Sequence, residues 1–376
     1  MPISKEFGCG VGDVSLYYTI DYCGTGLFIP ITSRIIKKNL KLSIIISLAC
    51  IVVANLGYSI SHSVYMFYLF ASISGFGRSI LGGGLIQMLI NSWFEKKSGT
   101  ALGIVLAVSA LTGVIMNPIV ASNISKFGWR TSYRISLIII LIFFVPALIL
   151  LRISPESMGM LPYGYEVKEG EEENLVIEHK GIMLAEAKKT RYYFYIITVG
   201  IFVSCIFGMT NHMATYAVSL GYTPAMGAYL TSACLIGSTV GKLTIGMIYD
   251  RYGAKVKLRL VMSLVLVGAA IVYFGEGSIV TLVIGALIFG YGACTGASMP
   301  GALINNVFGP RDFGSILASV TMVNSVISSF NGTFYGKLYD ATGSYHVPLL
   351  CCVCFAIIAL TLGTISLNNG YKYKTK

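Results

Sequence analysis

Two basic residues stand where an apolar chain has least use for them. Lys242 lies inside ACLIGSTVGKLTIGMIYDRYGAKVKL, the stretch from Ala233 to Leu258. At about 1.5 Å per helical residue its Cα falls roughly 12 Å before Asp250, near the middle of a hydrocarbon core about 30 Å thick. An ammonium at that depth costs about 2.5–3.5 kcal/mol on insertion scales, so it calls for a counter-charge, a water-filled cavity or an anionic solute. Arg78, within GFGRSILGGG, is a second cation of this kind, about 20 Å from either end of its predicted helix. For both, one chemistry is to hold a substrate anion and the other is to pair within the bundle for structural reasons, Lys242 with an acid such as Asp21. Two further residues join them as candidates. His212 falls at the outer end of a predicted span, where a cavity-facing imidazole would titrate in the physiological range. Asn324 leads a polar stripe with Ser325, Ser328 and Ser329 that either glues helices together or faces a ligand.

These residues need a membrane around them, and composition supplies it. The chain of 376 residues is 55% hydrophobic and only 11% charged, with a mean hydropathy of +0.76, which excludes a soluble domain and defines an all-α polytopic membrane protein. Runs of about 20 apolar residues predict eleven spans. They are Ser15 to Arg34, Leu42 to Ile60, Tyr65 to Ser92, Ala101 to Ile124, Ile135 to Arg152, Tyr192 to Met213, Met226 to Tyr249, Leu260 to Gly275, Ile279 to Val307, Phe313 to Gly336 and Val347 to Leu367. The corresponding domain plan is an external stretch 1–14, a five-span bundle 15–152, a cytoplasmic linker with an interfacial helix 153–191, a six-span bundle 192–367 and a cytoplasmic tail 368–376. One set of loops, including Arg251 to Arg259, holds 20 of the 27 Lys/Arg residues, which places that side and the C-terminus in the cytoplasm. The net charge of +11 is thus the positive-inside pattern, dispersed over short loops, and excludes a nucleic-acid patch. The nine cysteines fall mostly within spans and form no disulfide framework. No metal spacing, phosphate loop, cofactor motif or nucleophile and base pair is legible, so neither an enzyme nor a cofactor is expected.

The chain repeats itself. Arg34 and Lys38 lead into an apolar helix, as Arg251 and Lys255 do about 217 residues later, the pattern of transporters built from two related halves. The linker between them centres on KEGEEENLVIEHK, and GIMLAEAKKT after it reads as a short interfacial helix. Pro118, in Gly113-Val-Ile-Met-Asn117-Pro118, removes a backbone donor inside a span, a break tolerated beside a cavity or neighbouring helix.

Gly246-Met-Ile-Tyr-Asp250-Arg251-Tyr-Gly253-Ala-Lys255 resembles the cytoplasmic loop signature of the major facilitator superfamily. Arg78-x-x-x-Gly82-x-Gly84 and the stretch from Gly113 to Pro118 are similar to its fourth- and fifth-helix motifs. WFEKKSGTALGI, FGWRTSYR, PESMGMLPYG, MLAEAKKT and GKLYDATGSY resemble the branch of monocarboxylate transporters and oxalate/formate antiporters. The resemblance implies a two-bundle fold of twelve helices lacking the first, hence eleven. It also implies a monomeric secondary transporter of small organic anions, coupled to a proton or an exchanged anion, with Gly246, Asp250, Arg251, Gly253, Lys255 and Pro118 in the conformational machinery. It places the family's substrate cation on Lys242, with lysine in place of arginine, and the oxalate transporter's second cation near Asn324. Where some monocarboxylate transporters carry a carboxylate, this chain has Ser238, and the first-half loop has Ser33 where the signature has Asp. Asp250 is expected to latch onto the helix starting near Phe313 or onto Arg311. The absent first helix also leaves room for a competing reading, a transport-inactive membrane protein with a binding or structural role.

Overall fold

We describe residues 2–8, 11–152, 154–165, 180–370 and 373 of the computed structural model; the centre of the expected linker lies outside them. The first half comprises α1 (Pro2–Phe7), α2 (Val11–Lys38), α3 (Leu40–Ile60), α4 (Val64–Leu81), α5 (Gly83–Trp93) and α6 (Ser98–Leu150). After the short α7 (Leu184–Ala187) come α8 (Arg191–Met209), α9 (Met213–Ser219), α10 (Pro224–Phe274), α11 (Ile279–Ala293), α12 (Met299–Phe308), α13 (Phe313–Ser328), α14 (Asn331–Thr342) and α15 (His346–Asn369).

Polar side chains set the starts of these helices. Asn39 accepts from the amide of Leu42 at 3.0 Å, Ser63 from Met66 at 3.4 Å, Thr190 from Tyr193 at 3.4 Å and Thr223 from Met226 at 3.3 Å. Each satisfies a donor that the first helical turn leaves unpaired. Seven stretches among the described residues are long and apolar enough to cross a membrane: Leu40–Ile60, Val64–Trp93, Lys126–Leu150, Arg191–Ser219, Met226–Phe274, Phe313–Thr342 and His346–Asn369. Met226–Phe274 takes in two of the expected spans, and Ser98–Ser109 and Ile279–Ala293 are apolar but shorter. Gly128 (φ 78°) breaks α6 and Gly253 (φ 78°) breaks α10, each turning the chain in one residue at a dihedral that glycine tolerates. The expected loop from Arg251 to Arg259 is therefore corrected: helix resumes at Ala254 and carries Lys257 inward, to 4% exposure.

The halves meet along two crossed pairs, α2 against α13 and α6 against α10. The second half holds the large apolar core, with Ile196, Val203, Leu258, Val265, Phe289 and Leu317 shielded from solvent. The first half holds two smaller clusters, around Tyr58, Phe67 and Trp129 and around Ile36, Leu40 and Ile44. The repeat explains the difference. If α2 corresponds to the first arm of α10, then α8 has no counterpart in the first half among the described residues. Ile104, Val108, Leu111 and Ile115 on α6 are exposed.

Candidate functional site

A cavity of about 790 Å³ runs between the halves. Its wall follows α2 from Tyr18 to Ile36, about 27 Å of helix. Lys242, His212 and Asn324, three of the expected binding residues, all line it. Lys242 is partly buried and has no acidic partner among the described residues; the aromatic face nearest its Nζ is Phe207, 6.0 Å away. His212 lies against the rings of Tyr335 and Tyr345, with centroids 5.6 and 6.0 Å apart. Asn324 is 6% exposed on α13, packed against Gly200 of α8, and its Oδ1 has no hydrogen-bond partner. Ser238, where the resemblance puts a carboxylate, is 3% exposed and its Oγ is likewise unpartnered.

Arg78 stands apart from these. Its guanidinium pairs with Asp21, which is 3% exposed, and lies 5.7 Å from the ring of Tyr22 on the cavity wall. Of the two chemistries open to the buried cations, Arg78 takes neutralisation of Asp21, and Lys242 does not share that acid. Oδ1 of Asp21 keeps no partner.

Below Lys242, toward the basic end, lies a second, small space of about 40 Å³ lined by Gln87, Lys242, Lys257, Cys294, Thr295 and Ser298 among others. Lys257 donates to Ser298 Oγ at 3.2 Å and, more weakly, to its carbonyl at 3.5 Å. Gln87 Nε2 crosses between halves to the Ala297 carbonyl at 2.6 Å. The sequence reading missed Lys257 because it counted it among the solvated loop cations. Its signal is the repeat, in which the corresponding residue is Leu40, an apolar and buried one.

Asp250 closes this end. Its Oδ1 accepts from the amide of Gly99 at 2.8 Å, and its Oδ2 from the amide and hydroxyl of Thr100 at 2.6 and 2.5 Å. Lys97, before α6, offers no side-chain cap, so a carboxylate from the other half caps the positive end of that helix. The expected partner is corrected: Asp250 holds the start of α6 rather than that of α13 or Arg311, because α10 runs beside α6. Gly246 faces the Gly99 carbonyl, and Gly103 the Lys242 carbonyl, with no room for a Cβ. Of the other expected gating residues, Gly253 forms the bend, while Arg251, stacked on Tyr252 at 5.3 Å, and Lys255 are exposed outside the contact. Pro118 lies within α6, but its side chain falls outside the described residues. Ser33, at the position corresponding to Asp250, donates to the Pro30 carbonyl of its own helix and, among the described residues, bonds no other helix. Among the described residues no three His, Cys, Asp or Glu side chains could share a metal ion.

Two helical halves enclose a cavity, and at one end a carboxylate on a facing helix joins them, in a chain whose long apolar helices make it a multi-pass membrane protein. The chain belongs to the Major Facilitator Superfamily, whose profile matches residues 1–332 and, in an overlapping match, 220–373. Among curated relatives it is similar to the MFS transporter asaE of Aspergillus flavus, 25% identical over 73% of this chain and 61% of that protein. It is also similar to monocarboxylate transporter 12 of Xenopus laevis, 24% identical over 82% of this chain and 70% of that protein. With MFS-type transporter pynF of Aspergillus niger the match covers only 34% of that protein's length. Among solved structures, the proton:xylose symporter XylE superposes with a TM-score of 0.70 at 16% identity, covering 97% of this chain and 88% of that one. A bacterial homologue of the iron transporter ferroportin in an outward-facing state superposes with a TM-score of 0.72 at 13% identity, covering 98% and 93%. These likenesses establish the fold.

Proposed function

We propose that the protein is a secondary transporter of small organic anions, monocarboxylates first among them, working by alternating access. The observation that carries this reading is Lys242: a cation at mid-depth, on the wall of a large cavity, with no carboxylate partner among the described residues. A substrate carboxylate would supply the missing counter-charge, through a charge-assisted contact worth about 1.5–3 kcal/mol. Asn324 and His212 offer neutral donors around it. Its distant similarity to monocarboxylate transporter 12 supports the same class. Access alternates as the halves rock: with Asp250 on Gly99 and Thr100 the basic end is shut, and release of that carboxylate lets the end open. A proton or an exchanged anion balances the cycle.

The test is uptake of radiolabelled L-lactate, formate and oxalate into proteoliposomes holding the purified full chain. Saturable uptake that Lys242→Gln abolishes is the expected result. No saturable flux of any of the three removes the reading and favours a binding or structural role.

A further inference from the structure

Lys257 is a buried cation with little to balance its charge: Asp250 acts on it only from a distance. Its side chain is 4% exposed on the second arm of α10; among the described residues its hydrogen bonds go to Ser298 alone, and its Nζ lies 5.2 Å from the centre of the Tyr249 ring. No carboxylate pairs with it among the described residues. The repeat shows that the position has no structural need of charge, because Leu40 fills it in the first half within an apolar cluster with Ile36 and Ile44. Burying an ammonium where a leucine serves is unfavourable unless something compensates it.

Three neighbours point to what compensates it. Lys257 borders the small space beneath Lys242, and Lys242 borders it from above, so the two cations share one compartment. Thr295, 1% exposed on the same wall, has an Oγ1 without any partner. The Cys294 thiol lies within electrostatic reach of both lysines. A space of about 40 Å³ has room for about three water-sized centres, or for a group the size of a carboxylate. Its floor is Gly99, Gly246 and Tyr249, next to the residues that Asp250 holds shut.

We infer that Lys257, Thr295 and Ser298 form a second anion station, which receives the carboxylate from Lys242 before it leaves toward the basic end. This rests on the transport reading above and deepens it. Lys242 faces both compartments and hands on the anion; Lys257 holds it while the halves separate at Asp250. Formate fits the space as it stands, whereas lactate needs the latch to loosen, so the station favours the smallest carboxylates.

The experiment compares wild type with Lys257→Leu, the repeat's own residue and one that suits the apolar surroundings. In proteoliposomes, Lys257→Leu is expected to lower the maximal rate of formate uptake at least tenfold while the half-saturating external concentration stays within about threefold. The second readout needs no transport. In chains keeping Cys294 as their single cysteine, its thiolate attacks a methanethiosulfonate, forming a mixed disulfide and releasing methanesulfinate. A sulfonate-bearing reagent should label Cys294 faster than a quaternary ammonium one, and that preference should fall at least threefold in Lys257→Leu. If wild type carries no anion, the transport reading falls and the labelling decides the site alone. Unchanged uptake kinetics or an unchanged labelling preference in Lys257→Leu overturns the station.

Discussion

Asp250 of the second half caps a helix of the first, holding Gly99 and Thr100 through three hydrogen bonds of 2.5–2.8 Å. With Ser33 bonded, among the described residues, only to its own helix, the latch is one-sided. A charged cap at an exposed edge is worth about 1–2 kcal/mol, so Asp250→Asn should shift the balance toward an open basic end by about five- to thirtyfold. The check is the labelling rate of a cysteine introduced at Asn305 on the wall of the small compartment, which should rise in Asp250→Asn; an unchanged rate removes the latch.

Lys242→Gln should lower affinity for a transported carboxylate about tenfold to a hundredfold, the loss of one charge-assisted contact. Its melting temperature should hardly move, because no acid among the described residues pairs with it. Lys242→Arg should bind at least as tightly as wild type, since a guanidinium fork offers two parallel bonds to a planar carboxylate. Equilibrium binding on the purified variants, beside their thermal melts, separates a substrate ligand from a structural cation.

Arg78 should behave in the opposite way. Asp21→Asn leaves the guanidinium without its acid, and with Arg78 itself half-exposed the loss should be about 1.5–3 kcal/mol rather than the full value of a buried pair. In a double-mutant cycle, Asp21→Asn combined with Arg78→Gln should cost clearly less than the two single losses added. Additive losses in melts would show that the pair is not coupled.

A pH effect is expected at the far end of the first half. Glu6 accepts from Arg130 at 2.8 Å and from the Trp129 indole at 2.7 Å, and these bonds, Arg130's foremost, hold its carboxyl below the ordinary 4.5. A group whose folded value is lowered stabilises above its unfolded value and loses that contribution as pH falls through the folded one. Wild type should therefore melt above Glu6→Gln at pH 7, with the gap closing as pH drops below 4.5. A gap of the same size at pH 3 would show that Glu6 contributes no charge-dependent bond.

Much of this was readable in the chain, and the misses share a cause. Hydropathy locates most spans because each must be apolar over its whole length, and it locates Lys242 because a cation in such a run is conspicuous. It fails at Lys257, since four basic residues in nine positions look like a loop. Only the positive φ of Gly253 reveals that the chain turns at once and carries one of the four inward. The Asp250 signature was legible, but its partner was not: a carboxylate at a helix end can cap any nearby helix, and which helix is near depends on how α10 and α6 cross. Asp21 and Arg78 sit 57 residues apart, and nothing in their local sequence couples them.

The glycines at the closed end have a consequence for motion. Gly99, Gly103 and Gly246 bring two helices into contact largely through main chain, and the Lys242 and Gly246 carbonyls they face sit within α10 itself. Separating the helices there uncovers the edge of one ring, Tyr249, and little other apolar area, so this contact behaves as a bearing, with the resistance concentrated in the one carboxylate beside it. Opening should then carry a small heat-capacity change, and the gate's equilibrium should follow temperature along a nearly straight van't Hoff line.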